Sequence, residues 1–355
     1  MSISNLPFSS YANGGLTGLA NVGNTCYLNS CAQVLSHTYE LNNFLKSDFK
    51  ARVNSQLPDA TLLLEWNKLR EVMWSRNGVV APMGFVTSVQ RIAKIKNREL
   101  FTGHAQNDSS EFLLFLIEGF HNALAREVDM EINGHVADET DKLALVSYKM
   151  MQNMYQRDYS EMLTLFHGIH VSNISAIDQN QESLSLTAEP FSIMSLPIPA
   201  NLAEPTLFDC LDLYCAKEIL EGSNAWLNPK TQERVPVHRG ILFWSLPQLL
   251  IIDLKRWNTG SQEKQKPKVQ KLVRLGLTNL DFSSYVAGYN PTSYIYDLYG
   301  VCNHSGGSLG GHYTANVKNA NGKWYNFNDT NVKEIAELNV VTNQAYCLFL
   351  RKKNV

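Results

Sequence analysis

Cys26 follows a turn rich in glycine and asparagine, Gly18-Leu19-Ala20-Asn21-Val22-Gly23-Asn24-Thr25, and precedes an apolar stripe at Leu28, Cys31, Ala32 and Leu35. That i, i+3, i+4, i+7 spacing predicts a helix beginning just after Cys26, with Asn24 or Thr25 able to cap it. A thiol in the first turn of a helix meets unpaired backbone N–H groups and the positive end of the dipole. Both favour the thiolate, the form that attacks carbonyls. Asn21, a carboxamide on the same turn, is positioned to donate an N–H to the oxyanion of a tetrahedral intermediate, alongside the Cys26 backbone amide. Taken alone, a free cysteine is more often a small core residue than a nucleophile, so the chemistry depends on finding its base.

Of nine histidines, His312 stands out, because it follows the glycine pair Gly310-Gly311 and heads an alternating segment that runs to Val317. Imidazole is matched to holding a thiol proton and returning it to a leaving group near neutral pH. Asn319-Ala320-Asn321-Gly322 is a hairpin turn, and Lys323 to Asp329 is the returning strand. Folding about that turn sets His312 opposite roughly Asn328 to Asn331, with facing Cβ atoms about 5 Å apart. An amide or carboxylate there would fix the imidazole tautomer, as the third member of a triad must. Asn328 and Asp329 both qualify, and adjacent strand residues point to opposite faces, so the sequence leaves the choice between them open.

The elements that must hold these groups differ between the two halves. Helix-compatible apolar spacing recurs at 61–69, 85–92 and 112–117, whereas 128–160 is polar and weakly patterned. From Phe166 onward, short segments rich in β-branched and aromatic residues are broken by Pro, Gly and Asn, notably Phe191–Ile198, Gly240–Leu246 and Leu249–Trp257. This predicts an α+β protein with helices first and antiparallel sheet in the second half. The run Lys264-Gln265-Lys266-Pro267-Lys268 reads as a solvated loop without chemistry.

At 355 residues, 44% hydrophobic and 18% charged, the chain can bury a large core in one large domain or two ordinary ones. A formal net charge of −2 supplies no global field toward nucleic acid or an anionic membrane, so neither is expected as a partner. The segment Met1–Pro7 has no basic or apolar signal region, and no apolar run approaches the ~18 residues of a membrane span. A soluble intracellular protein is expected, cytoplasmic with the nucleus open. The six cysteines form no C-x-x-C pair and are too sparse for a disulfide scaffold, which predicts reduced thiols.

The segment from Gly18 to Leu35 resembles the cysteine box of the ubiquitin-specific proteases, a family of papain-like deubiquitinating enzymes. Tyr299 to Asp329, with Asn303-His304-Ser305-Gly306, Gly311-His312-Tyr313-Thr314-Ala315 and Trp324 to Asp329, resembles that family's histidine box. Between them, Gly103 to Leu113, with Gln106-Asn107-Asp108 and Glu111-Phe112-Leu113, is similar to its Gln-x-Asp-x-x-Glu-Phe-Leu segment. Phe166, Gly168, Glu189, Phe191, Leu196 and Leu254-Lys255-Arg256-Trp257 fall where family landmarks are expected. The likeness extends from about residue 15 to residue 351.

The resemblance implies Cys26 as nucleophile, His312 as general base, Asn328 as its orienting residue, Asn21 as oxyanion donor and Asp329 as a supporting polar group. It implies substrate contacts at Gln106, Asp108, Glu111, His304, Gly311 and Tyr313. Asp108 and Glu111 would meet the basic ubiquitin tail, yet the same pair reads as a capping-box-like helix start. The implied fold is a papain-like helical thumb over about 15–160, with an antiparallel palm and fingers over about 161–352, after an N-terminal extension at 1–14. Ubiquitin and ubiquitinated proteins are the implied partners. Many members bind zinc at the fingertips through two C-x-x-C pairs, whereas Ala176, Gln179, Asn228 and Thr231 stand at those positions here, so no metal and no cofactor are expected. The spacing of His167 and His170, without companion ligands, carries no metal assignment. The rival readings are a protease for a ubiquitin-like modifier, a ubiquitin-binding scaffold with little turnover, and an unrelated Cys-His acyltransferase. Oligomeric state is not readable.

Overall fold

The structure, a computed structural model, describes residues 6–178, 182–257, 268–307 and 310–353. Helix α1, Cys26–Ser36, forms where the apolar stripe predicts it, with all its residues buried. Helices α2 (Tyr39–Lys46), α3 (Asp59–Ser75), α4 (Met83–Ile95) and α5 (Ser109–Leu124) complete the predicted helical half, with α2 and α5 against α1, α3 against α5 and α4 against α3. Helix α6, Glu139–Tyr155, occupies the stretch that reads as unpatterned. Only Ala144 and Ser147 on it are buried, a stripe too thin to produce a strong helical period. Helix α7 spans Glu161–Phe166. Helix α8, Leu207–Cys215, is closed by a capping box between Thr206 and Asp209 and interrupts the half expected to hold strands.

Strands β1 (Gly18–Leu19) and β2 (Val79–Val80) pair in parallel beside α1. Strands β3 (Gly168–Ala176), β4 (Ser183–Phe191), β5 (Ile193–Pro197) and β6 (Glu218–Leu220) come next, then the short pair β7 (Trp226–Leu227) and β8 (Arg234–Val235). They are followed by β9 (Val237–Ser245), β10 (Leu249–Lys255) and β11 (Leu280–Asp281). The last five are β12 (Ile295–Gly307), β13 (Gly310–Lys318), β14 (Trp324–Asn328), β15 (Asn331–Ile335) and β16 (Ala345–Lys352). The fingers are a four-stranded sheet in the order β4-β3-β9-β6, backed by α6. The palm runs β15-β14-β13-β12-β16-β10-β5, with β11 added to β12. One pairing differs from the antiparallel expectation: β5 and β10 run parallel, Ile193 opposite Ile251, because the chain leaves the palm through the fingers strands before returning as β10.

The palm's central strands β10 and β16 are buried almost end to end, which is why Leu249–Leu254 reads as a continuous apolar run. One core lies between the palm and the thumb helices, a second on the palm's other face under α8, and a smaller third between the fingers and α6. The part of the expected N-terminal extension that is described is packed on the thumb. Residues Phe8–Tyr11 form a 3-10 turn, and buried Tyr11 stacks on Tyr39 at 4.7 Å and donates to Asn43 Oδ1 at 2.7 Å. Two distant stretches are also stitched directly together. The Leu19 amide donates to the Asp329 carbonyl at 2.9 Å, and a Cβ on Gly18 would overlap the Thr330 carbonyl oxygen, so the backbones touch only because residue 18 is glycine.

Candidate active site

Helix α1 presents Cys26 at its open end, where sequence reasoning expected it, but the turn that leads in is held by other groups. Thr25 occupies the N-cap position without a side-chain cap bond, and its Oγ1 accepts from the Val22 amide at 3.0 Å. Asn24 takes a left-handed conformation and donates to the His104 carbonyl at 2.9 Å, so neither expected cap serves as one. Asn21 braces the turn ahead of the helix, its Oδ1 accepting from the amides of Thr25 at 3.1 Å and Gly23 at 3.2 Å.

The Cys26 thiol is buried, and burial pushes its pKa above the usual thiol value. The Tyr313 backbone amide facing the sulfur opposes this, the Asp329 carboxylate adds to it, and the amides of Tyr27 and Cys26 at the helix start oppose it again. The expected thiolate stabilisation is therefore present but outweighed by desolvation. Among the described residues no hydrogen bond joins Cys26 to His312.

The hairpin delivers the other half of the site. β13 and β14 pair from Lys318 opposite Trp324 to Ala315 opposite Phe327, and beyond the ladder His312 Nε2 lies 2.7 Å from Asn328 Oδ1. That oxygen can only accept, so Nε2 carries the ring hydrogen and Nδ1 is left as the basic atom. Asp329 is not on the opposite face. It leaves the strand at a φ of 49°, and its carboxylate accepts from Asn21 Nδ2 at 3.0 Å and Asn29 Nδ2 at 2.8 Å. The two candidates thus make different contacts: Asn328 meets the His312 ring, and Asp329 holds Asn21, whose second Nδ2 N–H has no acceptor among the described residues. Asn29 was missed from sequence, although its position three residues after Cys26 on α1 puts it on the same helix face.

Of the residues expected to meet substrate, Gln106, Asp108, His304 and Tyr313 line one cavity, and Glu111 lines another. Gln106 is tied to Gly311, with its Nε2 donating to the Gly311 carbonyl at 2.7 Å and its Oε1 accepting from the Gly311 amide at 2.8 Å. The two expected acids part company. Asp108 is the N-cap of α5, accepting from the Ser110 and Glu111 amides, while its second oxygen takes the Tyr346 hydroxyl. Glu111 is exposed, its carboxylate accepts no hydrogen bond among the described residues, and its pKa is raised by partial burial and by neighbouring Asp108. With Glu118, His167 and Ser195 it lines a cavity of about 490 Å³ between thumb and fingers.

His304 and Tyr313 lie deeper, their rings 4.5 Å apart, and they share a second cavity of about 240 Å³ with Gln106, Asp108 and Trp257. Burial pushes the His304 pKa down to about 4, with the adjacent Lys268 ammonium pressing the same way. Lys268 corrects the sequence reading of its lysine run. It is 8% exposed and sits against His304 Nδ1 at 2.9 Å, with its pKa lowered by burial to about 8. The rest of that run, 264–267, lies outside the described residues, as does Gln179 of the fingertip positions. No cluster of three metal-ligating side chains occurs among the described residues, and no helix among them is long and apolar enough to cross a membrane.

Residues 17–350 match the family model described as ubiquitin carboxyl-terminal hydrolase. The chain is 32% identical over 346 residues to ubiquitin carboxyl-terminal hydrolase 2 of Bos taurus, covering 94% of this chain and 55% of that one. It is 32% identical to the Gallus gallus protein of the same name, covering 97% of this chain and 95% of that one. The chain spans little more than half the length of the bovine, rat and human relatives. Among solved structures, the Ubp8-containing SAGA DUB module bound to monoubiquitin matches with a TM-score of 0.72 at 23% identity, covering 100% of this chain and 72% of that one. The same module bound to ubiquitin aldehyde gives 0.73 at 23% identity, with 97% and 71% covered. Because a cysteine box, a histidine box and the thumb, palm and fingers between them all coincide with this family, the chain belongs to the ubiquitin carboxyl-terminal hydrolases, as a ubiquitin-specific protease.

Proposed function

We propose that the protein is a thiol-dependent deubiquitinase that hydrolyses the peptide or isopeptide bond after the C-terminal glycine of ubiquitin. The observation that carries this reading is His312 held on Asn328 at 2.7 Å, on the strand whose next residue, Tyr313, turns its amide to the Cys26 sulfur at the open end of α1. His312 Nδ1 takes the thiol proton, and Cys26 Sγ attacks the terminal glycine carbonyl carbon. The oxyanion is met by the free N–H of Asn21 Nδ2 and the Cys26 amide. The C–N bond then breaks, and His312 returns its proton to the departing lysine amine. Water, deprotonated by the same imidazole, hydrolyses the thioester and restores the thiol. Every proton is handled by a side chain of this chain, and no metal or cofactor enters.

Burial disfavours the Cys26 thiolate in the free protein, so activation is coupled to substrate. The tail displaces water from the cleft and brings the imidazole into reach of the sulfur. The open carboxylate of Glu111, with Glu118 on the same helix, suits the tail's arginines. The six cysteines are all unpaired, which supports residence in a reducing compartment, the cytoplasm with the nucleus open.

The test is incubation with ubiquitin bearing a C-terminal electrophile, read by intact mass. A covalent adduct on the unmodified protein, absent in Cys26→Ala, is the expected result. No adduct on folded protein would overturn the ubiquitin reading.

A further inference from the structure

Behind the thumb, at the end of α1 remote from Cys26, lies an open cavity of about 600 Å³ lined by Tyr11, Lys46, Lys50, Arg70 and Trp74 among others. Its position is fixed by Trp74, whose indole N–H donates to the carbonyl of Ser36, the last residue of α1, at 3.0 Å. The rise of that helix separates it from the nucleophile by roughly 15 Å. One wall is the docked N-terminal segment through Tyr11.

The charges in this cavity do not balance locally. Arg70 is 2% exposed, yet its Nε and Nη2 both donate to one neutral oxygen, Asn67 Oδ1, at 3.2 and 2.7 Å. The nearest carboxylate, Glu71, is 3.8 Å from Nη2, beyond hydrogen-bond reach; its side chain is 57% exposed and already accepts from Asn67 Nδ2 at 2.9 Å. Among the described residues, Arg70 Nη1 has no acceptor. Lys46 stands over the Tyr11 ring at 4.1 Å, and neither it nor Lys50 forms an ion pair among the described residues. Asp48, the other acid of the lining, is exposed. A buried guanidinium whose one nearby carboxylate lies 3.8 Å away and mostly in solvent is incompletely compensated, and an anion in the cavity would complete it. In support, the Lys46 ammonium is disfavoured first by burial and then by the Arg70 charge. The volume lies in the range of organic ligands and exceeds what a bare oxyanion fills.

We propose that this cavity binds a small organic phosphate, a phosphate monoester whose oxygens are taken by the Nη1–Nη2 edge of Arg70 left over by Asn67 and by Lys46 and Lys50. Its organic part fills the remaining volume between Trp74 and the turn at Ser47–Phe49. The planar guanidinium suits two phosphate oxygens at once, and the two lysines act as mobile point charges at the mouth. The site shares no residue with the cleft and is independent of the isopeptidase reading.

Calorimetry on the full chain at about 0.15 M salt tests it, with phenyl phosphate, inorganic phosphate and a phosphoserine peptide as probes. Phenyl phosphate is expected to bind saturably with one site, roughly tenfold tighter than inorganic phosphate. Lys46→Gln, a surface change, should weaken that binding about fivefold while the ubiquitin adduct forms at the unmodified rate. Arg70→Lys should weaken it further, with folding verified by its melting curve. No saturable heat, or an affinity unchanged in Lys46→Gln, would overturn the site. Inorganic phosphate binding as tightly as phenyl phosphate would overturn the organic ligand, and tighter binding of the peptide would overturn the small-molecule source.

Discussion

At the cleft, side chains from three separated stretches are locked by directional bonds: Asn21 and Asn29 to Asp329, His312 to Asn328, and Gln106 to the backbone of Gly311. The fingers sheet rests instead on contact area, with Ile169, Val171, Ala188 and Trp244 closing on Ala144 of α6. Ala176, Asn228 and Thr231, at the positions where the resemblance would set zinc ligands, carry no thiol. The contrast teaches where each kind of damage will register. Loss of one bond at the cleft misaims a reacting group and costs rate, whereas loss of area in the fingers costs stability and grip and leaves the chemistry intact.

The largest break on the cleft side is Cys26→Ala, expected to lower turnover of a fluorogenic ubiquitin substrate on the order of 10⁴-fold or more while the melting temperature stays close to that of the parent. Next is Asn328→Ala, which frees the ring and should lower kcat on the order of 10²-fold or more, with Asn328→Asp retaining more activity because it still offers an acceptor. Asp329→Ala acts one step back. It releases Asn21 and should reduce kcat roughly 10- to 100-fold with little change in KM, a split that stopped-flow kinetics can read. On the fingers side, Trp244→Ala should cost about 3 kcal/mol of stability by denaturant titration. It should also raise KM for ubiquitin substrates and spare kcat on a short tail peptide. If Trp244→Ala lowered kcat as far as Asp329→Ala does, the division between the two regions would fail.

The smallest expected effect is on pH dependence. Burial pushes His37 down to about 4, and burial with Lys268 does the same to His304. The unfolded chain takes up protons at these rings from about pH 6.5, which the folded protein refuses until about pH 4. Their contribution is therefore complete above pH 6.5 and is lost as pH falls toward 4. The denaturation midpoint should decline across that window, and His37→Gln should flatten the decline.

Most of the site was legible because short-range rules set it. The apolar stripe starts α1 at Cys26, and the Asn-Gly turn fixes the β13–β14 register that brings His312 to Asn328. What was not legible depended on tertiary context. Strand alternation assigns Asn328 and Asp329 to opposite faces, but the left-handed backbone at Asp329 returns its carboxylate to the cleft. A helix start predicts a low thiol pKa, but desolvation by the palm reverses the sign. Of the two candidate acids, the capping geometry of α5 claimed Asp108 and left Glu111 open. Lys268 looked like part of a hydrated lysine run until the fold buried it on His304. Helix α6 was missed because it buries a single narrow stripe, and the parallel β5–β10 pair because registers between strands far apart in sequence leave no local trace.

Strand β16, the last described element, lies inside the palm between β12 and β10 rather than at an edge. Synthesis runs from the other end, so Cys26 emerges from the ribosome long before the strand that completes the sheet carrying His312. At about 10 residues per second that interval is roughly half a minute. Through it the nascent chain carries Cys26 without the completed sheet and without a closed cleft. On the proposed reading the cleft becomes competent only once β16 enters the palm between β12 and β10, which makes synthesis of that strand an early control on activity.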